Sequence, residues 1–155
     1  ARSTVACGTQ TVGYFLGGRT TTAAVTTVDK YTYSGSSVAG GTALNAVRQY
    51  VNGATGNSTK GVIAGGDNAT VEIKTSTEYT YSGDTTAAGT DLNAVRGELA
   101  ATGNSTVGIF GAGYLAAITA ITEKYTFSGS TVGSGTSLGT ARRVLTACSS
   151  TANAL

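Results

Sequence analysis

Short apolar runs alternate along the chain with turns rich in glycine, threonine and serine. Val107 to Phe110 is a short apolar run of a length that suits a buried strand, and Gly111 and Gly113 stop it where the backbone must bend. Ile121 to Phe127 is a second β-rich run, turned by Ser128-Gly129. Before both stands Gly103-Asn104-Ser105, whose residue types can take the positive φ angles of a tight hairpin. Side chains alternate along a strand, so Tyr125 and Phe127 fall on one face. The pattern predicts that these rings pack sheet against sheet, with stacking on a ligand as the alternative.

Nearly all of the chain repeats this unit. Tyr31-Thr32-Tyr33-Ser34-Gly35 returns as Tyr79-Thr80-Tyr81-Ser82-Gly83 and Tyr125-Thr126-Phe127-Ser128-Gly129, at steps of 48 and 46. Arg48, Arg96 and Arg142 keep the same steps, and Asn57-Ser58-Thr59 returns as Asn104-Ser105-Thr106. Gly13 to Gly18 matches Gly61 to Gly66 and, more loosely, Gly108 to Gly113. Each unit offers four strand candidates: one after the Arg (Glu98 to Thr102), the apolar run, the Tyr-Thr-Tyr phrase, and a fourth such as Thr85 to Leu92. Four short strands repeated at about 40 to 50 residues are the signature of a β-propeller blade.

The expected fold is therefore all-β, with one repeat domain over 1–155. Its blades cover about 1–45, 46–93 and 94–139, and 140–155 is a surplus strand and tail. First strands follow Arg2, Arg48, Arg96 and Arg142, one more than the blades need. A competing reading is a βββα solenoid. Leu92, Val95 and Leu99 have helical spacing behind a Thr90 cap, and Thr42 to Val51 is similar. Gly97 and Gly139 weigh against those helices.

Composition narrows the function classes. Charged residues are 12% of the chain, against about a quarter in ordinary globular domains. The net charge is +2 and no basic cluster stands out, which argues against nucleic acid as a main partner. No apolar run approaches the roughly 20 residues of a membrane-spanning helix. His, Pro, Met and Trp are absent. Without His, the commonest general base and metal ligand are missing, so the chain reads as non-enzymatic and implies no cofactor or metal. An oxygen-ligated Ca²⁺ around Asp67-Asn68 or Asp84 is the one alternative. A missing initiator Met points to processing or a fragment, and no charged-then-apolar leader precedes residue 20.

The repeat resembles the kelch β-propeller family. Gly17-Gly18 and Gly65-Gly66 end a second strand 13 residues before Tyr31 and Tyr79. Gly111-Ala112-Gly113 stands 12 residues before Tyr125, and an acidic residue comes two before two of the tyrosines, at Asp29 and Glu123. The family's Trp is missing; its place falls near Val38, Thr86 and Val132. The resemblance implies propeller blades but no particular function. The copper-oxidase chemistry of some kelch-like propellers needs histidines and cannot be carried over.

Three blades are too few for a closed propeller, which typically has about four to eight. Two chains could form a six-bladed ring, the chain could belong to a longer array, or the strand from Arg143 to Thr151 could pair with another chain and give a fibre. Cys7 and Cys148 lie three repeats apart in matching first strands and are candidates for a disulfide sealing such a joint. The alternative is two buried thiols in equivalent core slots. Asp29 and Glu123 are expected to pair with the repeated Arg48, Arg96 and Arg142 between blades. Asn57, Asn68 and Asn104 are N-glycosylation candidates, though turn chemistry explains their sequence equally well.

The functional expectation is a structural or adhesion module of an extracellular or virion-surface assembly, with self-association as its main interaction. A carbohydrate-binding propeller is the alternative, with Tyr14, Tyr50 or Tyr114 stacking on a glycan. A kelch-type protein-interaction module is third.

Overall fold

The computed structural model describes residues 4–51 and 53–149. Three four-stranded antiparallel sheets succeed one another along it, and no helix forms among the described residues. The first comprises β1 (Val5–Gly8), β2 (Val12–Arg19), β3 (Ala24–Thr32) and β4 (Ser37–Gly40). The second comprises β5 (Ala54–Gly56), β6 (Lys60–Ala64), β7 (Ser76–Thr80) and β8 (Thr85–Ala88). The third has β9 (Ala100–Gly103) and β10 (Val107–Gly111), then a small ribbon of β11 (Tyr114–Leu115) and β12 (Ala117–Ile118), then β13 (Thr122–Thr126) and β14 (Thr131–Ser134). Strands pair in chain order within each sheet, as expected for blade-type units. These sheets do not form a closed ring.

Ladder register fixes which residues are equivalent. Phe15 opposes Asp29, Ile63 opposes Thr77, and Phe110 opposes Glu123. Cys7, Thr55 and Thr102 oppose Tyr14, Val62 and Ile109 in turn. Contacts between strands of different sheets concentrate at the first strands β1, β5 and β9. The sheets therefore converge at their inner edges. Ala6, Ala54, Ala101 and Ala147, from four equivalent segments, line one shared cavity there.

The cores lie between sheets, because one sheet two side chains thick cannot bury both of its faces alone. Tyr14, Leu16 and Val28 of the first sheet meet Ile63 and Tyr79 of the second in one buried cluster. Val62 and Ala64 of the second meet Phe110, Tyr125 and Phe127 of the third in another. The glycine doublets serve this packing. Gly17, Gly65 and Ala112 have φ of 59°, 71° and 60°, and Gly18, Gly66 and Gly113 have 109°, 90° and 106°. Two consecutive residues of positive φ follow the end of β6 and of β10. In the first sheet, against expectation, Gly17-Gly18 do not end the strand: β2 stays paired with β3 to Arg19, and the ladder only shifts register between Leu16 and Gly18.

Several sequence expectations need correcting. The Gly103-Asn104-Ser105 hairpin uses no positive φ. The Asn104 Oδ1 accepts from the backbone N–H of Thr106 and Val107 instead, at 2.9 and 3.0 Å. The segments read as possible helices, Thr42 to Val51 and Thr90 to Leu99, are irregular where described. Leu44 and Leu92 still bury their side chains, which accounts for the apolar spacing. The surplus segment forms no strand over 141–149, and its remainder, with Arg2, lies outside the described residues. The physical reason is pairing: β1, β5 and β9 each pair with the second strand of their own sheet, and among the described residues no such strand stands beside this fourth copy.

Candidate functional site

The repeated arginines tie each sheet to the next. The Arg48 carbonyl accepts from Gly18 N–H at 2.9 Å, so its backbone belongs to the first sheet. Its side chain crosses into the second. There it donates to the carbonyls of Gly65 and Thr75 at 2.9 and 2.8 Å, and to the Thr75 and Thr77 hydroxyls at 3.2 and 3.1 Å. Arg96 repeats the arrangement one sheet on. Its carbonyl accepts from Gly66 at 2.8 Å, and its side chain donates to the carbonyls of Ala112 and Ile121 at 3.1 and 2.8 Å. Glu123 Oε2 lies 3.0 Å from Arg96 Nη2. Where Glu123 stands, the preceding junction has Thr77, so Arg48 is surrounded by neutral acceptors. Burial lowers the Arg48 guanidinium to about 10, with Asp91 opposing in part.

The third arginine is placed in the same way, but its side chain makes no hydrogen bond or ion pair with another described residue. The Arg142 carbonyl accepts from Gly113 N–H at 3.0 Å, and its side chain is exposed. Asp29, the equivalent of Thr77 and Glu123, is exposed on the outer face of the first sheet. Asp29 and Arg142 stand at opposite ends of the row of sheets, and no ion pair joins either to another described residue.

Further from the inner edge, charged groups cross both junctions; of these, sequence reading named only Asp84, and as a candidate Ca²⁺ ligand rather than a junction residue. Lys30 of the first sheet pairs with Asp84 of the second, whose carboxylate also accepts from the Tyr79 hydroxyl and the Thr42 N–H. The bond from Lys30 and the bond from Thr42 hold the Asp84 carboxyl below its ordinary value. Glu78 accepts from Tyr125 Oη at 2.5 Å, from the Ser130 hydroxyl, and from Lys60 Nζ at 2.9 Å. Burial works to raise the Glu78 carboxyl, but these hydrogen bonds together outweigh it and lower it. Asp84 and Ser130 take left-handed φ of 49° each, and the equivalent Ser36 has 46°. That shared conformation, rather than residue type, is the repeated feature.

The aromatic candidates separate. Tyr14 is buried and stacks on Tyr81 at 4.7 Å between ring centroids, so it cannot offer a face to a sugar. Tyr50 and Tyr114 line one surface pocket with Asp67, Glu72, Glu98 and Arg143. Arg143 lies over the Tyr114 ring at 5.0 Å and pairs with Glu98 at 3.3 Å. The Asp67 carboxylate there accepts from Gln49 Nε2 at 2.8 Å and Ala69 N–H at 2.6 Å.

Cys7 and Cys148 are free thiols on the walls of the inner-edge cavity. Burial pushes the Cys7 thiol up to about 11, and the neighbouring Tyr81 hydroxyl opposes this in part. Cys148 is exposed, and its carbonyl accepts from the Thr102 hydroxyl at 2.7 Å. The three sequon asparagines are each half-buried turn formers. Asn57 Oδ1 accepts from the N–H of Thr59 and Lys60, and Asn68 Oδ1 from Thr70 and Val71. Asn104 completes the set as described above.

No protein-family model matches the chain, and no curated protein matches it.

Proposed function

We propose that this chain is a non-enzymatic, self-associating module of kelch-like propeller blades. It serves as a structural or adhesion component of an extracellular or virion-surface assembly. The observation that carries this reading is the difference between inner and outer copies of one position. Phe15 is 46% exposed, whereas its equivalents Ile63 and Phe110 are 1% and 0% exposed. The outer face of the first sheet is thus a copy of a surface that is buried elsewhere in the chain, and an open apolar sheet face is a site for association. The low charge and the Thr/Ser/Gly-rich surface fit an exposed location. Negative-stain electron microscopy of the purified chain tests the reading. Rings or filaments built from this chain are expected; dispersed single particles of one chain would contradict it.

The second reading is carbohydrate binding at the pocket of Tyr50 and Tyr114. It is favoured by two aromatic rings beside hydrogen-bonding carboxylates in one concavity. Reproducible glycan-array binding that disappears in Tyr114→Ala would establish it, and an array without signal would remove it.

A further inference from the structure

We propose that a second copy of this chain docks head to tail on the third sheet, with Arg142 of one copy on Asp29 of the next. This rests on the self-association reading and names the surfaces that perform it.

The first support is placement. Arg48, Arg96 and Arg142 all anchor their carbonyls on the second residue of a left-handed pair, at Gly18, Gly66 and Gly113. Two of the three side chains then enter the next sheet, where they are 1% exposed. The third is already anchored in the same way, so among the described residues only the receiving sheet is lacking. The second support is the receptor. Asp29 occupies the ladder position of Glu123, which binds Arg96, and of Thr77, which binds Arg48. A carboxylate is the better partner for a guanidinium, and Asp29 stands exposed on the outer face of the first sheet.

The third support lies away from the charges. At both internal junctions a threonine hydroxyl donates to the carbonyl of the left-handed residue in the next sheet: Thr42 to Asp84, and Thr90 to Ser130. The equivalents are Thr136 and Ser36, both exposed. They meet when Arg142 reaches Asp29. Aromatic cover follows the same rule, since Tyr33 is 53% exposed and its equivalent Phe127 is 4% exposed.

Docking requires one exchange at the inner edge. The segment Ala147 to Ser149 lines the cavity beside β9, where the incoming β1 would stand. β1 is held by a ladder of four residue pairs, whereas the segment over 144–149 makes no ladder. The 144–149 segment is therefore the one displaced.

The test is sedimentation analysis of the wild-type chain, Asp29→Arg, Arg142→Asp, and an equimolar mixture of the two variants, each first checked for an unchanged far-ultraviolet spectrum. Like charges set opposite each other cost several-fold to many-fold in affinity. Each single variant should therefore weaken association at least about 100-fold. The mixture should recover it, because each variant supplies the charge the other lacks. A single substitution that does not fold is replaced by Asp29→Asn or Arg142→Gln, which should weaken association in the same direction. Wild-type association that neither substitution weakens would overturn this junction and leave the self-association reading standing. A mixture that fails to recover would overturn the direct pairing. A wild-type chain that is monomeric at its highest soluble concentration would overturn both.

Discussion

Arg96 Nη2 lies 3.0 Å from Glu123 Oε2, with side chains 1% and 3% exposed, across the junction of the second and third sheets. The same junction one repeat earlier is built without a carboxylate, since Thr77 replaces Glu123. A buried ion pair of this kind fixes the register of two sheets more than it stabilises them, but losing one partner strands a charge. Glu123→Gln should therefore destabilise the fold by about 3–5 kcal/mol. The double replacement Arg96→Met with Glu123→Leu should cost much less. Urea titration of the three variants checks this, and equal losses in the single and double variants would contradict it.

Tyr14 stacks on Tyr81 at 4.7 Å and meets Tyr79 at 5.1 Å, so one ring of the first sheet touches two of the second. Truncating a buried aromatic costs about 3–5 kcal/mol. Tyr14→Ala should lose that much and flatten the near-ultraviolet dichroism. Tyr50→Ala, at a site 38% exposed, should lose well under half as much. Comparable losses at the two positions would show that Tyr14 is not a junction residue.

Acid should loosen both junctions. The Asp84 and Glu78 carboxyls are held below their ordinary values. Each therefore contributes stability that is complete above the unfolded value of about 4 and is lost as pH falls through the lower, folded one. The melting temperature should be flat near neutrality and drop below about pH 4. In Lys30→Met with Lys60→Met the folded values move back towards the ordinary ones, so the acid drop should be smaller. A melting temperature unchanged from pH 6 to pH 2.5 would contradict the account.

The thiols should separate by reactivity. Cys148 is exposed, while Cys7 is half-buried and shifted up to about 11. At pH 8 the smaller thiolate population alone slows Cys7 about 100-fold relative to an ordinary thiol. Alkylation followed by peptide mass analysis should mark Cys148 first, and both in urea. The same shift makes the fold lose stability as pH rises from about 8.5 towards about 11. Equal labelling of the two cysteines in the folded chain would place Cys7 outside the core.

Sequence reading reached the strands because their markers are local. The Tyr-Thr-Tyr phrase and the glycine doublets each set a conformation within a few residues, and their steps carried the repeat. Pairing partners across junctions were less legible. Tyr125 lies 47 residues beyond Glu78 in the next sheet, so their meeting depends on how two sheets face each other. The alternation of Tyr79 and Tyr81 placed both rings on one face but did not show that Tyr14 would be their partner. The fourth first strand misled for the opposite reason. Its local pattern copies β1, β5 and β9, but a strand needs a neighbour, and none pairs with it among the described residues.

Native mass spectrometry of the untagged chain, across a dilution series, is the most direct test of whether the two outer faces are interfaces. The account predicts a species at a whole multiple of 15.3 kDa that dissociates on dilution. A mass of two chains would mean a six-bladed ring, and a ladder of larger masses an open filament. A mass of one chain at every concentration would contradict it.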